Sequence, residues 1–158
     1  MQYLLAKNTI NGAKGTVVIT LDGKNYVIAG MQNIRIDADI QSSDMKCIGT
    51  TKVQDKQTGV KLTGKGNIYY GSDLFTNMVL DYIKTGKTTE FTVQVTNDDP
   101  SADIGTQAMA YYGCHLTGQI PLSILDDNEA MLNYDFNFAC TDVEKLQSFR
   151  APSSYGND

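Results

Sequence analysis

Three stretches of this chain alternate apolar and polar side chains with a period of two residues, at positions 34–40, 91–95 and 132–138. Successive side chains of a β-strand point to opposite sides, so this spacing predicts strands with one buried face and one exposed face. A sheet made of such strands leaves edges and outer faces to be covered, and association with further copies of the chain is one way to cover them. The pattern therefore predicts a mainly β protein.

The size and charge of the chain limit its class. Its 158 residues suffice for one domain with a hydrophobic core, and we predict a single β domain over residues 1–149 with a flexible tail over 150–158. A net charge of −5 without a basic block does not favour nucleic-acid binding. The N-terminus lacks the features of a signal peptide, and no run approaches the roughly 20 apolar residues of a membrane helix. We therefore expect synthesis in the cytoplasm and no membrane insertion.

Further strands, turns and terminal segments follow from local composition. The predicted strands are residues 16–21, 24–28, 31–41, 60–70, 90–96, 107–116, 119–125 and 129–140. Asp22 and Gly23, between the first two strands, predict a type I′ hairpin turn. Gly64 and Gly66 predict either a bulge or a close backbone approach. Residues 142–149 are expected to form a short helix or an arm.

One amphipathic helix is predicted between Ser72, as its N-cap, and Gly86, which ends it. Its apolar side chains recur at spacings of three and four, the period of one helix face. They are Leu74, Phe75, Met78, Val79, Tyr82 and Ile83. We expect this face to close one side or end of the sheet, with Phe75, Val79 and Ile83 filling the interior.

Residues suited to nucleophilic catalysis are few. His115 is the only histidine, and its neighbour Cys114 belongs to the opposite face of the strand. A Cys-His pair would therefore need Cys47 or Cys140. The odd number and wide spacing of the three cysteines argue against a disulfide framework or a CxxC zinc site. We expect free thiols, with Cys114 and Cys140 as small apolar residues of strands.

Two polar segments interrupt the strand pattern. The acidic loop at residues 97–103 lacks the ligand spacing of an EF-hand calcium loop, and we expect a solvated loop without a metal. Residues 42–59 are mostly polar and of mixed charge, and a structureless connection of that length is unusual in a compact domain. This second segment is either a protruding hairpin or a long protruding loop that orders against a partner.

Three groups of motifs, in this order and spacing, resemble one known family. Residues 8–15 are followed by a strand and by Leu-Asp-Gly at 21–23, and residues 63–70 are followed by Ser72 and a helix ending in Asp-Tyr-Ile-Lys-Thr-Gly. The late strand 134–138 is followed by Val-Glu-Lys-Leu. The chain resembles, over roughly residues 8–149, the tail tube proteins of contractile-tailed phages and phage-like elements, a group that includes the core tail protein of a defective Bacillus prophage.

The resemblance implies an antiparallel β-barrel or β-sandwich with one flanking α-helix. It also implies hexameric rings of this chain, stacked into a hollow tube inside a contractile sheath, with baseplate and tail-terminator proteins as further partners. The expected location is a virion or a phage tail-like particle assembled from protein made in a bacterial host. DNA would pass through the lumen of a true phage without specific binding. No catalysis and no cofactor are expected.

The same resemblance assigns roles to two sets of residues. Segment 42–59 becomes the assembly arm, with Ile48 and Val53 as buried anchors. The inter-subunit contacts are Met45, Lys46, Ile48, Lys52, Val53 and Asp55. Arg35, Asp37 and Asp39, on one strand face, are candidates to line the lumen, where an acidic balance would repel DNA phosphates.

Two other classes of function remain open from the residues alone. A small-ligand-binding β-barrel of lipocalin type would need a large apolar interior with an open mouth, which the helix is expected to fill. An enzyme would have to use His115 with a cysteine, and replacing His115 without loss of function would dismiss it.

Overall fold

The computed structural model describes residues 5–28, 30–128 and 130–150. A 3₁₀ turn, Ala6–Asn8, precedes eight strands and one α-helix among the described residues. In chain order these are β1 (Gly15–Leu21), β2 (Lys24–Val27), β3 (Met31–Met45), β4 (Gln54–Tyr69), α1 (Leu74–Thr85), β5 (Phe91–Asp98), β6 (Thr106–Thr117), β7 (Asn133–Cys140) and β8 (Asp142–Gln147). The mainly β class with a single helix is confirmed. The predicted flexible tail lies, beyond Arg150, outside the described residues.

The strands form an open antiparallel sandwich in which β6 belongs to both sheets. In the first sheet the order is β2-β1-β5-β6-β8, and in the second it is β3-β4-β7-β6. β6 pairs with β5 as far as Cys114 and with β8 as far as Tyr112, whereas its last residues, His115–Thr117, pair with β7. The sheet does not close, so the sandwich alternative is correct and the barrel is not.

The passage of β6 from one sheet to the other depends on Gly113. This glycine has a φ of +63°, in the left-handed region that favours glycine. A Cβ there would lie 2.7 Å from the Thr141 hydroxyl oxygen. Thr141 separates β7 from β8, and its backbone N–H donates to the Tyr112 carbonyl over 3.0 Å. Two segments of the polypeptide, β6 and the β7–β8 segment, therefore pass from one sheet to the other at this corner.

Aromatic rings fill the space between the sheets. Phe136 stacks on Phe75 of the helix at a centroid distance of 4.5 Å and lies 5.9 Å from Phe138. In the register of β4 and β7, Gly64 is opposite Phe138 and Gly66 is opposite Phe136. The two glycines leave room for the rings, because a Cβ at either position would meet ring atoms closer than 3.0 Å. A close backbone approach, one of the two predicted alternatives, is found at Gly66, where a Cβ would lie 2.8 Å from the Asn33 carbonyl oxygen, whereas at Gly64 the nearest atoms belong to the Phe138 ring.

The helix follows its predicted position but buries less of its apolar face. It begins at Leu74 with Asp73 as the N-cap, one residue later than predicted, and the Ser72 hydroxyl accepts the Leu74 N–H over 3.4 Å. Gly86 ends it in the left-handed conformation, as predicted. Phe75 is buried, but Ile83 is 63% exposed, so the expectation that Ile83 fills the interior is wrong. The helix is not long and apolar enough to cross a membrane.

Three further expectations about strands are wrong. Residues 119–125 are not a strand: Pro121 there has no N–H to donate, and no described strand pairs with this stretch. The last long strand begins at Asn133, four positions after the predicted start at 129, which itself lies outside the described residues. Residues 142–147 form neither a helix nor a free arm but strand β8, because β6 offers a second edge to pair with.

The acidic loop is tied to the N-terminal segment rather than fully solvated. Asp99 is only 6% exposed, and its carboxylate accepts the backbone N–H groups of Asn11 and Ser101, each over 2.9 Å. These two hydrogen bonds, the Asn11 bond first, lower the pKa of Asp99 from its ordinary value, against the opposing effect of burial. The expectation of a solvated loop is wrong for Asp99.

We expect Asp99→Asn to destabilise the protein at neutral pH, because an amide cannot accept both N–H bonds as a carboxylate does. Since the folded-state pKa is lowered, the stabilisation by ionised Asp99 is present above the ordinary carboxyl value and is lost as pH falls through the folded-state pKa. Urea unfolding should therefore separate wild type from variant at pH 7, and the gap should close as the pH falls below the ordinary carboxyl value and through the folded-state pKa of Asp99. Asp103→Asn, which removes an exposed 3.3 Å ion pair with Lys7, is the control and should change little. A gap that persists in acid would contradict this assignment.

Candidate assembly surface

Segment 42–59 is mostly a β-hairpin. Strands β3 and β4 pair continuously out to Met45 and Gln54, with a register shift after Gln41, so that only residues 46–53 connect them. The protruding-hairpin alternative is correct, and the expectation of a long irregular loop is wrong. Backbone pairing holds these polar residues in strands, although their side chains alone favour no strand.

An uncovered apolar stripe runs along one face of this hairpin. We define it as Ala38, Ile40, Val60 and Leu62, which face one another in pairs, Ala38 with Leu62 and Ile40 with Val60. Ile34 and Ile36, on the same face of β3, pack against the core. Farther out the face leaves the body of the sandwich, and Ile40 and Val60 are 58% and 60% exposed. A partly buried sheet face thus continues into solvent without a cover from the described residues.

All six predicted contact residues lie at the end of the hairpin and are exposed. Met45 ends β3, Asp55 is near the start of β4, and the other four belong to the connection. Asp44 and Asp55 are directly opposite each other, a pairing of like charges that is unfavourable in an isolated hairpin. The structure brings these residues together on one projection.

The three lumen candidates share the opposite face of the same sheet. Arg35, Asp37 and Asp39 are all exposed, and the Arg35 guanidinium bonds the Asp37 carboxylate over 3.0 Å. This polar face continues across β4 and β7. Its charged side chains are Arg35, Asp37, Asp39, Lys61, Lys65 and Asp135. Three positive and three negative charges balance, so this face does not supply the acidic excess that we expected of a lumen.

The residues considered for catalysis are separated. His115 lies on the polar face, opposite Ala139, whereas Cys114 and Cys140 face the core, and Cys47 is at the hairpin end. Over residues 5–28, 30–128 and 130–150, no three His, Cys, Asp or Glu side chains are grouped to hold a metal ion. The aromatic core occupies the interior that a small-ligand-binding barrel would need open.

Sequence reasoning missed the apolar stripe. The alternation that ends at Ile40 was visible, but exposure of Ile40 depends on where the body of the sandwich ends. Val60 gave a weaker signal, because the sequence pattern places it at the start of a strand, whereas in the structure it lies in the middle of β4. One sequence signal could have indicated the stripe. Apolar residues precede and follow the polar segment, and they come together if that segment folds back on itself.

A sandwich with a long hairpin that carries an uncovered apolar stripe is typical of a subunit that works by assembly. The sequence pattern of the phage tail tube protein family matches residues 2–147, and the chain belongs to that family. The family resemblance is therefore confirmed, and the chain is a structural tail tube protein.

Individual relatives and solved structures agree with the family. The phage-like element PBSX protein XkdM of Bacillus subtilis (strain 168) is 30% identical over 145 residues, which cover 90% of this chain and 96% of that protein. A chain in the cryo-EM structure of an extracellular contractile injection system, the PVC sheath–tube complex in its extended state, has a TM-score of 0.63 at 8% identity and covers 89% of this chain and 93% of its own. The SPP1 tail tube gives a TM-score of 0.62 at 10% identity, with coverages of 87% and 78%. The structural likenesses show the shared fold.

Proposed function

We propose that this chain forms hexameric rings that stack into the hollow inner tube of a phage tail or tail-like particle. The observation that carries the proposal is the apolar stripe, which continues the core face of the second sheet beyond the body of one subunit. Covering Ile40 and Val60 by a neighbouring copy contributes roughly 1.5–3 kcal/mol for each fully buried side chain. A head-to-tail contact of this kind repeats from copy to copy, as a tube requires.

The hairpin end supplies the specific part of the contact. Ile48 and Val53 are its apolar anchors, and Met45, Lys46, Lys52 and Asp55 surround them. The unfavourable pairing of Asp44 with Asp55 in a single chain supports a partner that brings positive charge to this point. Charges of both signs at the rim fix the register of subunits more than they add affinity.

The polar face of β3, β4 and β7 is the surface that we assign to the lumen. Its exposed polar side chains, Arg35, Asp37 and Asp39 among them, support a water-filled conduit. Its balanced charges would neither trap nor strongly repel DNA phosphates. A density map of the assembled tube tests the assignment directly, and a bore lined by another face or a strongly basic bore would contradict it.

Sheath, baseplate and tail-terminator proteins are the further partners we propose, and a virion or tail-like particle is the location. Chains of similar fold occur in structures of a sheath–tube complex, a baseplate and a tube-terminating cap. We also propose that the chain has no catalytic role, since a tube subunit acts through its surfaces.

The full-length chain, purified and examined by electron microscopy and sedimentation over a range of concentrations, tests the proposal. We expect rings with six-fold symmetry and tubes built from them, either unaided or after addition of baseplates from the same particle. A strict monomer at every concentration with and without baseplates would contradict it, as would rings of another copy number.

A further inference from the structure

Two buried thiols meet at the corner where the two sheets join. The Sγ atoms of Cys114 and Cys140 lie 3.0 Å apart, and both cysteines are free. Their positions follow from the register, because His115 pairs with Ala139, and Cys114 and Cys140 are the residues next to this pair on the side of the corner. The sequence spacing of 26 residues gave no sign of this proximity.

We propose that Cys114 and Cys140 are a modification site that forms an intramolecular disulfide when the protein meets an oxidised low-molecular-weight disulfide such as oxidised glutathione. Cross-strand neighbours with facing side chains can join with little backbone movement. The bond would fasten β6 to β7 beside Gly113 and Thr141, where both segments of the polypeptide pass from one sheet to the other. It would also close a loop that contains the segment connecting these two strands, residues 118–132.

The two thiols are not equivalent, and the difference determines which of them reacts first. Cys114 is fully buried, whereas Cys140 is partly exposed. The hydrogen bond between them lowers the pKa of Cys140 and raises that of Cys114, so Cys140 is the more acidic of the two thiols. Cys140 is therefore the group that reacts first with a reagent from solution.

The exchange is balanced in atoms and electrons. The Cys140 thiolate attacks one sulfur of the glutathione disulfide, forms a mixed disulfide and releases one glutathione thiolate, which takes up a proton. Cys114 then loses its proton and attacks the Cys140 sulfur, which releases the second glutathione thiol. Two protein thiols are oxidised to one disulfide, and one glutathione disulfide is reduced to two thiols.

The test uses the full-length chain with Cys47→Ser, because Cys47 is exposed at the hairpin end and can form bonds between molecules. After incubation with excess oxidised glutathione, we expect thiol titration of the unfolded protein to fall from two groups to none. Peptide mapping should find the Cys114–Cys140 link, and Tm should rise by about 5–10 °C and return on reduction. The matched control, Cys47→Ser with Cys140→Ser, should keep its one buried thiol and show no rise in Tm.

Several results would overturn the proposal. Oxidised protein that still titrates with two thiols shows that the pair does not react. A stable mixed disulfide with glutathione on Cys140 shows that Cys114 cannot complete the exchange. A fall in Tm on bond formation shows that the link does not fit the native corner.

Discussion

Replacing Ile40 by aspartate should abolish tube formation while the subunit stays folded. Ile40 lies in the centre of the apolar stripe beside Val60, and both are more exposed than buried in the single chain. A carboxylate placed in a covered contact loses the burial of the isoleucine and adds an unpaired charge. We expect the concentration needed for tubes to rise at least about 100-fold, which sedimentation and electron microscopy can measure. The free energy of unfolding should change by about 1 kcal/mol or less, as for other exposed positions.

Gln41→Asp is the matched control for this experiment. It adds the same charge to the next position of the same strand, where the side chain belongs to the polar face. We expect tubes at nearly the wild-type concentration. Tubes formed equally well by Ile40→Asp would show that the stripe is not a contact. Equal loss in both variants would show that added charge, and not the apolar face, prevents assembly.

Local signals predicted the parts of this fold that depend on neighbouring residues. The type I′ turn needs left-handed conformations at two adjacent residues, and Asp22 and Gly23 have φ values of +52° and +78°. Gly86 ends the helix for the same steric reason. Period-two alternation located β5 and β7 because each buries one face against a common core.

Pairing between distant strands decided what the sequence did not reveal. Residues 42–45 and 54–59 have little strand preference, yet they complete β3 and β4 because each supplies the other's backbone partners. Residues 119–125 look more like a strand and are not one, because Pro121 has no N–H to donate and no described strand pairs with this stretch. The candidate assembly surface and the thiol pair also depend on pairing between distant strands, which places Ile40 beside Val60 and brings Cys114 close to Cys140.

The second large effect is expected at Gly64, where a single methyl group should destabilise the fold. A Cβ at this position would lie 2.6 Å and 2.7 Å from the Cε2 and Cε1 atoms of Phe138, distances that real Cβ atoms do not adopt. Phe138 is buried between Phe91 and Phe136, so its ring cannot move aside freely. We expect Gly64→Ala to lower the free energy of unfolding by about 2–3 kcal/mol, measured by urea denaturation.

Gly59→Ala is the control on the same strand. Its Cβ would meet only the Gln41 side-chain oxygen, at 3.9 Å, so the substitution fits without displacement. We expect it to be neutral or to stabilise by up to about 1 kcal/mol, because alanine restricts the unfolded chain. A loss at Gly59 equal to that at Gly64 would mean that the backbone of β4, and not the aromatic ring, requires glycine.

A double-mutant cycle with Phe138→Leu separates the ring from other causes of the loss at Gly64. Leucine removes the ring atoms that a Cβ at position 64 would meet, although it leaves a smaller apolar group in the core. In that background Gly64→Ala should cost less by about 1 kcal/mol or more, which is the coupling expected of residues in contact. An unchanged cost would contradict the role we give to Gly64, namely to admit the Phe138 ring, which packs between Phe91 of the first sheet and Phe136 of the second.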